Sequence, residues 1–185
     1  AMGFSHAERG KRFLESYAYI REMEESWPRF ENSFGKVQQN ADMLPKPVAG
    51  QLPILITGGS QQEPAWIAEN GDGWMVYPRP PMLQRKIIGE WRTRTINARM
   101  SPKPAMQPLY IDLLETPPPA PVPIHLGWQL GAEQLIDMLT AIEDIGINHV
   151  ALNLRFNTAD IEKTLEQLAR TILPRFNPQS QARSS

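Results

Sequence analysis

The sequence predicts an α/β protein built on a parallel sheet. Three observations carry that reading: short apolar runs alternate with segments of helical period, glycine or proline bounds nearly every run, and an opening helix is followed by four repeats of strand and helix. A repeat of this kind folds into parallel strands joined by right-handed crossovers.

The opening helix is expected over residues 6 to 25. Ser5 and Glu8 have the spacing of a capping box, and Phe13, Tyr17, Ile20 and Met23 recur at helical intervals. From Trp27 to Leu52, Pro28, Gly35, Pro45, Pro47 and Gly50 break any period, so this stretch reads as a long irregular connection, a rare thing unless it has a task. Pro53 to Thr57 is a continuous apolar run closed by Gly58 and Gly59, as in a strand buried on both faces. A helix follows from Ser60 or Glu63 to Asn70 and is ended by Gly71. Trp74 to Tyr77 is the second strand, closed by Pro78 and Pro80. Leu83, Ile87, Ile88 and Trp91 then share one face of a helix from Met82 to about Asn97.

Met106 to Leu114 is the third strand. The run from Pro117 to Pro123 must be extended, because each proline fixes its own torsion and turns its predecessor away from helix; it reads as a stiff strut. His125 to Gly131 reads as a glycine-bracketed turn. The strongest helix signal lies at Ala132 to Ile145, where Leu135, Met138, Leu139, Ile142 and Ile145 form a stripe and Gly146 terminates it. His149 to Leu154 is the fourth strand. Ile161, Leu165, Leu168 and Ile172 mark a last helix ending before Pro174, and the polar tail 177–185 is expected to be disordered.

A chain of 185 residues suffices for one domain with a substantial core. Its net charge of −1 supplies no electrostatic ground for nucleic acid or an anionic membrane as partner. No apolar stretch approaches the ~20 residues that cross a bilayer, and no charged-then-apolar leader opens the chain, so a soluble, cytoplasmic protein is expected. Without cysteine there is neither a disulfide framework nor a thiolate nucleophile. The only histidines, His6, His125 and His149, are scattered, so no metal site is expected.

Gly58, Gly59 and Ser60 stand where a buried strand turns into a helix. That geometry offers free backbone N–H groups to an anion, with the Ser60 hydroxyl and the Gln61 amide alongside. The plainer reading is a strand-to-helix turn capped by Ser60, or by Glu63 with Pro64 at the first helical position. Asp72 reads as a turn acceptor, Trp74 as a core aromatic and His149 as structural. Tyr110 and Asp112 share one side of the third strand, and an inward Asp112 needs a partner, either in an ion pair or at the mouth of a site.

Several of these segments together resemble one family. Leu52 to Ser60 runs into Trp66-Ile67-Ala68-Glu69-Asn70-Gly71-Asp72-Gly73-Trp74, then come Ile124-His125-Leu126-Gly127 and Asp144-Ile145-Gly146-Ile147-Asn148-His149-Val150-Ala151-Leu152-Asn153. This ordered series, from about Ala7 to Phe176, resembles the bacterial-luciferase-like flavin-dependent monooxygenases. The resemblance implies a (β/α)₈ TIM-type barrel of which residues 1–176 form the C-terminal half, from the fourth helix through the eighth, with the opening strands not included.

It also implies reduced FMN as cofactor, its phosphate held by Gly58, Gly59, Ser60 and Gln61. Tyr77 would pack near the flavin, with Arg79 available to an anionic group. His125 would move protons, and Arg155, beside Asn153, would stabilise negative charge; a loop hydrogen bond for His125 and a salt bridge for Arg155 are the competing readings. The implied activity is oxidation of a small-molecule organic substrate by dioxygen, the reduced flavin arriving free or from a flavin reductase. Alternatives are an oxidoreductase using the deazaflavin F420 and a catalytically silent flavin-binding or interaction protein. Sheet edges left unpaired in a half-barrel predict a homodimer.

Overall fold

The computed structural model describes residues 5–97 and 102–176, and the chain forms two compact units divided between Asp72 and Gly73. The tail expected to be disordered, residues 177–185, lies outside the described residues.

The first unit begins with a 3₁₀ turn, His6–Glu8, in which Ser5 Oγ accepts from the Ala7 N–H. It runs into α1 (Arg9–Glu24). The connection expected to be irregular contains a hairpin, β1 (Arg29–Asn32) and β2 (Gly35–Gln38), paired antiparallel from Arg29↔Gln38 to Asn32↔Gly35. Its turn is closed locally, since Asn32 Oδ1 accepts the Phe34 N–H at 2.8 Å and Gly35 takes φ 143°. What holds the hairpin is tertiary: Tyr19 of α1 meets the edges of Phe30 and Phe34 at 5.0 and 5.7 Å. Further along, Lys46 donates to the Met23 and Glu25 carbonyls at 3.0 and 2.6 Å, placing a cation at the negative end of α1.

Next come β3 (Leu55–Thr57) and α2 (Pro64–Asn70). The helix does not start at Ser60, as one reading of the sequence expected; Glu63 is its N-cap and Pro64 its first residue. Ser60 and Gln61 have φ of 46° and 57°, left-handed values that exclude them from a right-handed helix. Trp66 of α2 packs on Phe13 and Tyr17 of α1 at 5.8 and 5.2 Å. Below it the Arg21 guanidinium donates to Glu24 Oε2 (3.1 Å), the Leu52 carbonyl (2.8 Å) and Asp72 Oδ2 (2.5 Å), while Asp72 Oδ2 also accepts the Ile54 N–H (2.8 Å). This network fixes the entry to β3. Burial pulls the Arg21 pKa down, but its bonds to Tyr17, Asp72 and Glu24 outweigh that and hold it above its usual range.

The second unit comprises β4 (Gly73–Met75), α3 (Pro81–Asn97), β5 (Ala105–Leu113), β6 (Val122–Ile124), β7 (Gly127–Leu130), α4 (Ala132–Ile145), β8 (His149–Asn153), α5 (Ile161–Gln167), a π turn (Leu168–Ile172) and α6 (Leu173–Phe176). Central β5 pairs in parallel with three strands. β4 meets its start (Trp74↔Ala105), β8 its middle (Met106↔His149 to Tyr110↔Asn153) and β7 its end (Tyr110↔Gly127 to Leu113↔Leu130). Odd-numbered residues of β5 are buried, and Leu109, Ile111 and Leu113 join Leu135, Ile136 and Leu139 of α4 in the core. Even-numbered Met106, Pro108 and Tyr110 are only half-buried, so the two faces of the strand differ in cover. The mixed α/β architecture with a parallel sheet is the one expected from the sequence.

The segment after β5 departs from expectation. The proline strut ends in a strand, β6, which pairs antiparallel with β7, and β7 occupies most of what read as a turn. Pro123 is tolerated because β6 is the outer strand, where a missing N–H breaks no interior ladder. The strut is held by contact: a Cβ on Gly131 would lie 2.7 Å from the Pro117 Cβ, so the proline rests on the glycine. Helix α4 matches its expected bounds, with Gln134 Oε1 reaching back to the Gly131 N–H (2.9 Å) and Gly146 in the left-handed conformation (φ 99°). Arg92 of α3 donates to the Gly146 carbonyl (2.9 Å) and Asn148 Oδ1 (2.5 Å), which also accepts the Ala105 N–H. Burial lowers the Arg92 pKa. The last helix continues through the π turn to Phe176, so Pro174 does not stop it.

Candidate functional site

In the first unit the turn from Gly58 to Gln62 carries strain. Gly58, Ser60 and Gln61 all have positive φ, and two consecutive non-glycine residues in that conformation cost about 1–2 kcal/mol each. The Ser60 hydroxyl donates to the Thr57 carbonyl (2.9 Å), so it is engaged within the turn. Gln62 N–H donates to the Gly59 carbonyl (2.7 Å), and its side chain donates to the Gly10 carbonyl of α1 (3.1 Å). The approach is tight at Gly10, since a Cβ there would sit 3.2 Å from Gln61 Cβ. Around Gly59 the space is open: an added Cβ meets nothing within 4 Å. The arrangement is a strained loop seated on α1 with open space beside Gly59.

In the second unit two sequence-predicted residues, His125 and Arg155, are brought to the same ring. His125, on the turn between β6 and β7, lies 6.2 Å from Phe156 and 6.1 Å from Tyr110, and those two rings are 5.2 Å apart. The Arg155 guanidinium lies 5.7 Å from the Phe156 centroid. Among the described residues Arg155 makes no ion pair, so the expected alternative of a salt bridge is not what the structure contains. Asn153 is occupied in accepting the Arg155 N–H (2.9 Å).

The backbone explains the placement of His125. Tyr110 N–H donates to the Leu126 carbonyl (3.1 Å), Leu126 is left-handed (φ 51°), and a Cβ on Gly127 would fall 1.8 Å from the Tyr110 carbonyl oxygen. Only glycine permits that approach. One residue pair further on, Asp112 is buried at 3% exposure and accepts three hydrogen bonds: from Thr158 N (2.8 Å), Thr158 Oγ1 (2.9 Å) and Gln129 Nε2 (2.8 Å). Burial alone would raise its pKa, but these donations outweigh it and hold the carboxyl below its ordinary value. Among the described residues its partners are neutral donors, so the expected ion pair is not formed there.

Tyr77 is half exposed and joins none of these ring contacts, and Arg79 is exposed. Trp74 packs on Trp91 at 5.8 Å, as a core aromatic should. Tyr110 and Asp112 share the even-numbered side of β5, as the strand period predicted; Phe156, next to Arg155, was not singled out from sequence, although an aromatic beside a rim cation is a visible signal. Among the described residues no cluster of three metal-ligating side chains occurs, and no helix is long and apolar enough to cross a membrane.

A family model described as luciferase-like monooxygenase matches residues 1–110. Solved structures share the fold. Monooxygenase RslO1 from Streptomyces bottropensis superposes with TM-score 0.75 at 16% identity, covering 94% of this chain and 63% of that one. The coenzyme F420-dependent tetrahydromethanopterin reductase from Methanopyrus kandleri gives 0.71 at 10% identity (91% and 64%), and DmoA from Hyphomicrobium sulfonivorans 0.67 at 12% (97% and 57%). The chain therefore spans about three-fifths of the structures it matches, and at such identities the likeness establishes the fold alone. No curated protein sequence matches it.

Proposed function

The chain belongs to the luciferase-like monooxygenase family, and from that premise we propose that it serves a flavin-dependent oxidoreductase that holds reduced FMN and oxidises a small organic substrate. When bound, reduced flavin supplies the reducing equivalents and the reaction with dioxygen; the protein supplies binding, orientation and electrostatics.

Two assignments follow, one within each unit. In the first, the backbone amides of Gly59, Ser60 and Gln61, in the turn that Gly58 opens, bind the phosphate. The observation that carries this is the pair of consecutive left-handed residues in a loop whose outer side is open, since strain of that kind persists where function requires it. The Ser60 hydroxyl is spent on Thr57, so the amides rather than the hydroxyl make the contact. In the second, Tyr77 offers a half-exposed ring, one ring nitrogen of His125 accepts and returns the substrate proton, and the Arg155 guanidinium stabilises negative charge. Tyr110 and Phe156 flank the imidazole, which itself stays exposed to solvent and substrate. His125 and Arg155 lie beyond the residues matched by the family model, so their roles rest on the cluster itself.

The test compares FMN with riboflavin, which lacks the phosphate. Gly59→Asp places a carboxylate in the open space beside the amides without a steric clash. By flavin fluorescence titration the variant should bind FMN about 100-fold more weakly than the wild type while riboflavin affinity is unchanged. Equal affinity of the wild type for FMN and riboflavin would sink the phosphate assignment. Hydride transfer with F420 is the second reading, favoured because an F420-dependent reductase shares the fold; a parallel titration with F420 decides between them. We also propose a homodimer, as β8 is paired along one edge only among the described residues, and sedimentation at high concentration tests it.

A further inference from the structure

The two strands that bring His125 and Arg155 to the rim lie on opposite edges of β5. β7 pairs with the end of β5, and β8 pairs with its middle along the other edge. The hairpin is fixed to β5 by its own ladder, whereas the arch after β8, from Leu154 to Thr158, has left the sheet. Its attachment comes from two consecutive residues of β5: Asn157 Oδ1 accepts the Leu113 N–H (3.1 Å), and Thr158 donates twice to Asp112. The other Asp112 oxygen accepts from Gln129 of β7. One buried carboxylate thus bridges hairpin and arch.

We propose that Asp112 is the positioning residue of this rim, holding the arch that carries Arg155 and Phe156 at a fixed spacing from the hairpin that carries His125. That this spacing matters to the reaction rests on the roles given above to His125 and Arg155. The direction of the Asp112 pKa keeps the bridge ionised throughout the neutral range. A carboxylate suits three incoming donors because it is acceptor-only, whereas an asparagine can reproduce the bridge only if Gln129 turns its amide to present oxygen.

Asp112→Ala, Asp112→Asn and Gln129→Leu are compared in the full chain by amide hydrogen exchange and FMN titration. Asp112→Ala should speed exchange at Thr158 about tenfold or more while α4 stays protected, and should weaken FMN binding about tenfold. Asp112→Asn should restore both toward wild type. Gln129→Leu, which cuts only the hairpin arm, keeps the result readable if Asp112→Ala does not fold, and should move both readouts in the same direction by less. Unchanged Thr158 exchange in Asp112→Ala overturns the bridge. Faster exchange with unaltered FMN affinity, in a chain that binds FMN, overturns positioning. A wild type that takes no FMN removes the cofactor reading instead, and the exchange arm still decides the bridge.

Discussion

Asp72 and Asp112 do the same task in different surroundings. Each ties a strand by accepting a backbone N–H together with side-chain donors, Asp72 from Ile54 and Arg21, Asp112 from the Thr158 N–H and hydroxyl and from Gln129. Asp72 has a side chain 44% exposed and a cation for partner; Asp112 is buried and meets only neutral groups. Water screens the first and can replace a lost bond. It does not reach the second carboxylate, so a bond lost there leaves the Asp112 side desolvated even though its partner Thr158 is exposed. The same residue type is therefore a modest tie in one unit and a rigid joint in the other.

The largest effect that tests this contrast is expected at Gly127, which sets the rim around Asp112. Gly127→Ala drives a methyl into the Tyr110 carbonyl and should cost about 4 kcal/mol in urea unfolding, with His125 losing its contact to Tyr110. Next comes Arg21→Met. It leaves Glu24, whose side chain is 1% exposed, without its cation, and should cost about 3 kcal/mol. If it costs no more than Asp72→Asn, burial does not set the strength of these carboxylate ties.

Acid sharpens the comparison. The Asp112 pKa in the folded chain lies below the ordinary value of about 3.9, so its contribution is complete above that value and is lost as pH falls through the folded one. The stability gap between wild type and Asp112→Asn, followed by thermal melting, should narrow steadily from pH 5 to pH 2. The smallest effect belongs to Asp72→Asn. It keeps an acceptor for the Ile54 N–H and loses only a partly exposed ion pair, so melting should report less than about 1 kcal/mol.

The sequence by itself determined the order of the four strands β3, β4, β5 and β8 and the helices between them, and it placed α4 to the residue, because an amphipathic stripe and a left-handed glycine cap are local features written in neighbouring side chains. It also put Tyr110 and Asp112 on one side of β5, since strand alternation needs no knowledge of the rest of the chain. Only the tertiary structure decided the two hairpins, the choice of Pro64 over Ser60 as the start of α2, the helical passage through Pro174 and the meeting of His125 with Arg155 at Phe156. Each of these depends on partners far away in sequence: Tyr19 for the first hairpin, Tyr110 for the second, Gly10 for the strained turn. Local propensity is silent about such contacts, because strand pairing and buried hydrogen bonds gain their energy from residues that the fold alone brings within reach.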